Sequence, residues 1–156
     1  MKKIRHMESL LGNVTIEADG DYITKIKVGE IKGDDIEPDC AILLQCAYEL
    51  TEYFEGKRQY FTFKYKNIGT PFREKVWSQL EKIPYGETVT YKDIAKAVNN
   101  ANAVRAVGGA NHNNNLWIVV PCHRVIGSNG HLTGYGGGIW RKEWLLNHEK
   151  RFRGII

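Results

Sequence analysis

Long apolar runs are absent from this 156-residue sequence. A helix that crosses a bilayer needs about 20 predominantly apolar residues, and aliphatic runs such as Ile118 to Val120 are far shorter. The charged residues Lys2 to His6 are not followed by the apolar stretch of a secretory signal. We therefore expect a soluble protein with no membrane partner.

Cysteine is scarce as well. The three cysteines, Cys40, Cys46 and Cys122, are odd in number, and none belongs to a Cys-x-x-Cys pair. This argues against a disulfide framework and against a zinc finger, and it favours a reducing, cytoplasmic location. Cys40 and Cys46 fall in a predicted helix, where a buried cysteine behaves as a small hydrophobic side chain. We interpret both as structural.

Acidic residues are depleted in one half of the chain. Residues 1–70 hold 10 basic and 12 acidic side chains, whereas residues 71–156 hold 12 basic and 6 acidic ones, with four of the five histidines. Lys and Arg neutralise phosphates and release counterions when nucleic acid binds. The C-terminal half therefore favours a polyanionic partner, although a generically basic surface explains the same distribution equally well.

The N-terminal half combines strand and helix patterns. Near-alternating apolar residues in 14–16 and 22–28 flank the turn Asp19-Gly20-Asp21, which predicts a β-hairpin. Apolar residues at steps of three predict a helix from Pro38 to Phe54, and the alternation from Phe61 to Tyr65 predicts a further strand. We place a support domain at 1–69 and a second domain at 70–156.

Two capping patterns mark helix starts in the C-terminal half. Thr70 before Pro71 predicts an N-cap and a first helical residue, and Thr90 with Asp93 predicts a capping box at the start of a second helix. A third helix is predicted over 103–110, so that two short helices follow each other as in a helix-turn-helix. Short helix pairs are also common in any small helical lobe.

These elements predict an α+β fold. We expect a small N-terminal antiparallel sheet with a helix, and a mostly helical, winged-helix-like C-terminal lobe that contains the helix-turn-helix. The third helix is unusual because alanine, valine and glycine surround its one arginine, Arg105. Such a surface is unsuited to reading base edges. It fits closely against a groove wall, and a lone arginine can enter the base stack of a flipped nucleotide.

The chemistry is predicted near Cys122. An apolar segment, Leu116 to Val120, predicts a short strand that leads into Pro121-Cys122-His123, and a rigid scaffold can present a nucleophile at such a position. A buried cysteine beside a surface histidine is the simpler interpretation of these two residues. Neighbours on a strand point to opposite faces, so His123 serves as a base only if the chain turns there or a water bridges the two groups.

A last helix is predicted from Ile139 to about Glu149, with Trp144, Leu145 and Trp140 on its buried side. A carboxylate near a helix C-terminus is unfavourable with the helix dipole and requires a cationic or hydrogen-bonding partner. His123 is a candidate for that partner of Glu149.

The C-terminal half, from about Pro71 to Glu149, resembles the O6-alkylguanine-DNA alkyltransferase family. The resemblance rests on an ordered set of motifs: Gly86, Tyr91, Arg105-Ala106-Val107-Gly108-Gly109-Ala110-Asn111, Pro121-Cys122-His123-Arg124-Val125, Gly134-Tyr135-Gly136-Gly137-Gly138, Lys142 and Leu145-Leu146. The N-terminal half is similar to the family's small α/β domain only in length and element order.

The resemblance implies direct DNA repair by a single-turnover methylated-DNA–[protein]-cysteine S-methyltransferase. Cys122 would accept the alkyl group from O6-alkylguanine, and also from O4-alkylthymine, after base flipping, and would be consumed as a thioether. His123 would act as a water-mediated base oriented by Glu149, and Tyr91 would donate a proton to guanine. A monomer acting on double-stranded DNA, with no cofactor and no metal, is implied.

Further roles follow from the same resemblance. Arg105 would fill the stack that the flipped nucleotide leaves, and Asn114 would fix the active-site loop by hydrogen bonds. The remaining DNA contacts would come from Ala103, Ala106, Gly109, Ala110 and Tyr91. The substrate pocket would be lined by Val125, Tyr135, Gly136 and Lys142. Two departures from the family pattern, Asn115 where proline is common and the bulky Trp117, bear on pocket shape.

Three rival functions fit parts of the sequence. The nearest is a non-catalytic alkylated-base binder that flags lesions for excision repair, but such proteins carry tryptophan in place of Cys122. A sequence-specific helix-turn-helix regulator requires long polar side chains on its recognition helix, where Asn102 and Arg105 stand nearly alone. A cysteine hydrolase does not account for the helix pair or for the basic C-terminal half.

Overall fold

The computed structural model describes residues 2–132 and 135–155. Within them the chain has the predicted α+β composition. Its strands and helices are β1 (Lys2–Ser9), β2 (Gly12–Asp19), β3 (Tyr22–Val28), α1 (Ala41–Phe54), α2 (Pro71–Leu80), β4 (Val89–Thr90), α3 (Tyr91–Ala97), α4 (Val104–His112), β5 (Val125–Ile126) and α5 (Ile139–Phe152). A 3₁₀ turn covers Cys122–Arg124. Gly134, part of the glycine-rich motif, lies outside the described residues.

The chain forms two compact units. The first contains the residues up to Asn67 together with Asn115–Trp117, and the second contains Ile68–Asn114 and Ile118–Ile155. Among the described residues, no helix is both long enough and apolar enough to cross a membrane.

The first unit is an antiparallel sheet in the order β1-β2-β3, packed with α1. The predicted hairpin corresponds to β2 and β3, where Ile16 pairs with Ile26 and both side chains are fully buried. Strand β1 was not predicted, because its charged residues show no apolar alternation and it lies at the sheet edge, paired only with β2 among the named strands. Helix α1 contributes Leu43, Cys46 and Leu50 to the core.

Two N-terminal predictions require correction. Helix α1 begins at Ala41 rather than near Pro38, with half-exposed Cys40 as its N-cap residue. The predicted strand at Phe61–Tyr65 is not a strand: only Tyr65 forms an isolated bridge, to Ile23. The alternating rings instead pack on one another, with 5.7 Å between the centroids of Phe61 and Phe63. An alternation of aromatic and polar residues therefore does not distinguish a strand from a loop whose rings pack on one another.

Helices α2, α3 and α4 pack together in the second unit. Both predicted caps are present: Thr70 Oγ1 accepts a hydrogen bond from the Arg73 amide at 3.2 Å, and Thr90 and Asp93 form the reciprocal capping box. Trp77 Nε1 donates to the Ala110 carbonyl at 2.8 Å. This buried hydrogen bond joins the middle of α2 to α4.

The predicted strand at Leu116–Val120 is wrong. Leu116 forms an isolated bridge to Ile26, and the chain then turns at Ile118, whose φ is +75°. A β-branched residue rarely adopts this left-handed conformation, and Ile118 is held there while almost completely buried. The chain that leads into Cys122 is therefore a series of turns.

Helix α5 continues three residues beyond the predicted end at Glu149, to Phe152. Leu145 is buried as predicted, but Trp140 is 55% exposed, and the Arg141 guanidinium lies over its ring at 4.4 Å. Lys142 and Glu149, both charged residues, are fully buried on this helix. A buried charge is costly without a partner, so Lys142 and Glu149 require polar or charged partners inside the protein.

Candidate active site

Cys122 lies on the 3₁₀ turn and is 2% exposed. Its amide donates to the Val120 carbonyl at 2.7 Å, and the Arg124 amide donates to the Pro121 carbonyl at 3.0 Å. The chain thus turns at the point where the strand prediction placed consecutive residues on opposite faces. The turn removes that geometric objection to His123 acting together with Cys122.

Two buried asparagines hold this turn from the end of α4. Asn114 Nδ2 donates to the Val120 carbonyl at 2.8 Å, two residues before Cys122. Asn111 Nδ2 donates to the carbonyl of Cys122 itself at 3.1 Å. Asn111 was not predicted as a site residue, although it ends the small-residue motif of the third helix. Its amide side chain lies three residues before Asn114, and this spacing was the sequence signal that could have identified it.

His123 and Glu149 are in direct contact. His123 Nε2 lies 2.7 Å from Glu149 Oε2, and both side chains are fully buried. The second carboxylate partner is Arg124, which was missed: its Nε donates to Oε1 at 2.8 Å and its Nη2 to Oε2 at 3.0 Å. The Gly86 amide donates to Oε1 at 3.2 Å. These four hydrogen bonds to Glu149 come from three residues in the described part of the chain.

These contacts determine the ionisation of the pair. Burial by itself would raise the pKa of Glu149, but His123 and Arg124 hold that pKa well below its usual range. Burial lowers the pKa of His123, against the opposite effect of Glu149. The carboxylate is thus ionised and the imidazole neutral at neutral pH. Nε2 then carries the proton toward Glu149, and Nδ1 is the free basic nitrogen, with no hydrogen-bond partner among the described residues.

A parallel strand pair places Tyr91 relative to this turn. Strand β5 begins at Val125, directly after the 3₁₀ turn, and pairs with β4, in which Val89 faces Val125. Tyr91 follows β4 as the first residue of α3. Lys142 Nζ lies 5.7 Å from the centroid of the Tyr91 ring. Burial lowers the pKa of Lys142 to about 8, while Cys122 opposes that shift.

The other predicted pocket residues are Val125, Tyr135 and Gly136. Val125 is fully buried as the first residue of β5. Tyr135 is buried, and burial, followed by the charge of Cys122, raises its pKa well above the usual value. Gly136 is exposed. The departures Asn115 and Trp117 both belong to the first compact unit.

Helix α4 presents a smooth exposed face. Arg105, Ala106 and Gly109 are exposed, and Ala103 is half-buried. Ala110, which we expected among the DNA contacts, is buried at 2% exposure, because it packs on the inner side of α4 where its carbonyl accepts the Trp77 hydrogen bond. Its side chain is therefore not available to a groove.

The described residues contain no group of three or more His, Cys, Asp or Glu side chains that could hold a metal ion. The site holds a buried thiol on the same turn as a neutral imidazole, and that imidazole contacts an ionised carboxylate. Such groups can serve as nucleophile, base and orienting group.

Both compact units match known sequence families. Residues 3–66 match the family described as "6-O-methylguanine DNA methyltransferase, ribonuclease-like domain", and residues 71–151 match "6-O-methylguanine DNA methyltransferase, DNA binding domain". The chain belongs to the 6-O-methylguanine DNA methyltransferase family. Residues Tyr91 to Glu149, which include the site described above, fall within the second match.

Individual members of the 6-O-methylguanine DNA methyltransferase family align over nearly the whole chain. The constitutive methylated-DNA–protein-cysteine methyltransferase of Bacillus subtilis is 43% identical, with 92% of each chain covered. The crystal structure of Mycobacterium tuberculosis O6-methylguanine methyltransferase has a TM-score of 0.88 at 39% identity, covering 100% of this chain and 97% of that one. The structure of M. tuberculosis OGT in complex with DNA has a TM-score of 0.89 at 39% identity, covering 96% and 93%.

Proposed function

We propose that this chain repairs double-stranded DNA by direct, stoichiometric and irreversible transfer of the alkyl group from O6-alkylguanine to Cys122. O4-alkylthymine is a second substrate by the same chemistry. The observation that carries the proposal is the buried Cys122 on its turn, followed by His123 in contact with an ionised Glu149, in a chain of the 6-O-methylguanine DNA methyltransferase family.

The nucleophile is prepared by removal of the thiol proton. Nδ1 of His123 takes the proton of Cys122 through a bridging water, while Nε2–H remains bonded to Glu149. The thiolate then attacks the alkyl carbon, the S–C bond forms, and the C–O6 bond breaks with its electron pair on guanine. The thioether product has no easy leaving group and retains no thiolate, so each chain acts once.

The leaving guanine carries negative charge that a donor can stabilise. We assign this role to Tyr91, whose hydroxyl donates to the base as the C–O6 bond breaks. The proton that Cys122 loses is recovered by guanine overall, so the reaction balances without a cofactor. The alkyl group is already activated by its attachment to an electron-poor ring, and no metal is required.

DNA docking is assigned to α3 and α4 as a helix-turn-helix. A glycine inside a helix costs about 1 kcal/mol relative to alanine, yet a Cβ atom at Gly108 or Gly109 would meet nothing of this chain within 4 Å. The fold itself does not require these glycines. A partner that approaches the backbone closely does, and a groove of DNA is such a partner. Arg105, exposed on this face, fills the stack after the lesion flips.

We assign different functions to the two domains. Residues 70–156 hold DNA binding and alkyl acceptance, with Val125, Tyr135, Gly136 and Lys142 as walls of the guanine pocket, and residues 1–69 support them. We assign the protein to a reducing cytoplasm, because the reaction needs a free thiol at Cys122, and we propose that it acts as a monomer.

A lesion binder that only flags damage for excision repair is not favoured. Such a protein has no use for a nucleophile, whereas Cys122 here is accompanied by a neutral base and an orienting carboxylate. A hydrolase or a sequence-specific regulator would not account for membership of this family.

The proposal is tested with duplex DNA that contains radiolabelled O6-methylguanine. The wild-type protein should take up the label, and Cys122→Ala should take up none while it still binds the lesion duplex. Cys40→Ala is the matched control, because it removes a free, half-exposed cysteine from the other compact unit, and it should react like the wild type. Absence of label on the wild-type protein, or label on Cys122→Ala, would overturn the proposal.

A further inference from the structure

Arg124 is almost completely buried, and its guanidinium donates hydrogen bonds to two residues, Glu149 and Ile83. Its Nε and Nη2 bind the two oxygens of Glu149 at 2.8 and 3.0 Å, and its Nη1 donates to the Ile83 carbonyl at 2.7 Å. The guanidinium also lies 5.6 Å from the centroid of the Tyr85 ring. The contact with Glu149 is bidentate, the arrangement that gives the strongest hydrogen bonding between an arginine and a carboxylate.

The position of Arg124 has a consequence for the neighbouring base. Glu149 faces His123 through Oε2, the oxygen that also accepts from Arg124 Nη2. A buried carboxylate whose only neighbour is an imidazole favours a proton on that imidazole, because the resulting pair is neutral. With Arg124 present, the carboxylate is already neutralised, and a proton on His123 would leave one uncompensated positive charge.

We propose that Arg124 is a positioning residue of alkyl transfer: by neutralising Glu149 through both of its oxygens, it keeps His123 an unprotonated base that can accept the Cys122 proton. This inference rests on the proposed function. It assigns a task to the arginine of the Cys-His-Arg turn that orientation of His123 by Glu149 does not explain.

The charges around His123 are consistent with this role. Burial is the largest influence on the pKa of His123 and lowers it. Glu149 on α5 raises that pKa, and Arg124 on the same turn and Lys142 on α5 lower it further. Cys122 precedes His123. Tyr85 and Tyr135 interact electrostatically with Glu149, and burial is the main cause that raises the pKa of both phenols. Among these groups Arg124 shares the carboxylate of Glu149 directly.

The same contacts fix the orientation of the carboxylate. The Ile83 carbonyl accepts from Arg124, and the Gly86 amide donates to Glu149, so the turn at 83–86 binds both members of the ion pair. A lysine at position 124 would keep the positive charge but could not reproduce the planar two-pronged contact. Charge and geometry can therefore be separated by substitution.

The test is the single-turnover rate of methyl transfer from an O6-methylguanine duplex, measured from pH 5.5 to 9. Arg124→Met should leave His123 protonated at neutral pH, so the rate at pH 7 should fall roughly tenfold or more, as expected for loss of a general base, and should recover as pH rises. Arg124→Lys should retain the wild-type pH profile at a lower rate. Arg151→Met removes an exposed charge from α5 and is the matched control.

A buried carboxylate without its arginine can prevent folding, so a second variant is needed. In Arg124→Met/Glu149→Gln no carboxylate remains to hold a proton on His123. The pH profile of the transfer rate, which Arg124→Met shifts to higher pH, should therefore shift back toward that of the wild type. Ring NMR signals of His123 give a readout independent of activity: neutral at pH 7 in the wild type and in the double variant, protonated in Arg124→Met.

The outcomes are distinct. If Arg124→Met lowers the rate by one factor at every pH and the His123 ring stays neutral at pH 7, Arg124 is only structural and the inference is overturned. If the wild-type protein transfers no methyl group, the proposed function fails, whatever the ring signals show. If the wild type reacts and the profile shifts as described, both stand.

Discussion

The side-chain amide of Asn111 donates a hydrogen bond to the carbonyl oxygen of Cys122 at 3.1 Å. Asn111 belongs to α4, whose exposed face carries Arg105, and Cys122 is the proposed alkyl acceptor. One buried hydrogen bond thus connects the helix assigned to DNA docking with the backbone of the proposed alkyl acceptor. The helix that is proposed to locate the lesion therefore also holds the turn that carries Cys122.

Replacing Asn111 should therefore affect stability and rate together. Asn111→Ala leaves the buried Cys122 carbonyl without this donor, which costs about 1–3 kcal/mol, and it loosens the turn, so methyl transfer should slow. Asn147→Ala is the control, because Asn147 is exposed on α5 and should change stability by less than about 0.5 kcal/mol. Urea unfolding and single-turnover kinetics measure both effects. Equal behaviour of the two variants would show that the hydrogen bond has no role.

Arg105 should matter for duplex DNA and not for the chemical step. Arg105→Ala should slow repair of an O6-methylguanine duplex roughly tenfold or more, because nothing then compensates the unstacking of the flipped base, and should leave the reaction with free O6-methylguanine base unchanged. Lys75→Ala removes an exposed positive charge from α2 and serves as the control. A similar loss on both substrates would contradict the stack-filling role.

Gly109 offers a test in which stability and binding move in opposite directions. Gly109→Ala should raise the free energy of unfolding by up to about 1 kcal/mol, since a Cβ atom meets nothing within 4 Å. The same methyl group should weaken binding to lesion duplex, measured by fluorescence anisotropy. A more stable protein that binds DNA with unchanged affinity would show that DNA does not approach this backbone.

Acid should weaken the fold through Glu149. Its pKa in the folded protein lies below the value of about 4.3 expected in the unfolded chain, so its contribution is complete above that value and is lost as pH falls through it toward the folded-state pKa. Glu149→Gln should be about 3–5 kcal/mol less stable than the wild type at pH 7, because Arg124 loses its buried partner.

That difference should narrow by pH 3 in urea unfolding, while Glu143→Gln, an exposed change on the same helix, should follow the wild-type curve. Parallel curves for Glu149→Gln and the wild type would mean that the ion pair does not control acid stability.

Local signals were predictable from the sequence, and contacts distant along the chain were not. The caps at Thr70 and Thr90 follow from side chains within three residues of the helix start, and both are present. The left-handed conformation of Ile118 contradicts the preference of a β-branched residue. It is imposed by burial that no local pattern records, and for that reason the predicted strand before Cys122 is absent.

The site shows the same division. Glu149 lies near the end of α5, where a carboxylate requires a partner, and the predicted candidate His123 is 2.7 Å away from it. Arg124 was missed, although it lies in the same turn as His123, because one partner appeared sufficient for one carboxylate. A buried carboxylate with two oxygens accepts more than one donor, and counting its acceptor sites would have pointed to the arginine.

The central claim is that Cys122 is a single-use alkyl acceptor. The direct measurement is mass spectrometry of the intact protein and its peptides after incubation with excess duplex containing O6-methylguanine. We predict one added methyl group per chain, located on the peptide with Cys122, and repair that stops when every chain is modified. Continued repair by protein whose Cys122 remains unmodified, or a methyl group on another residue, would contradict this account.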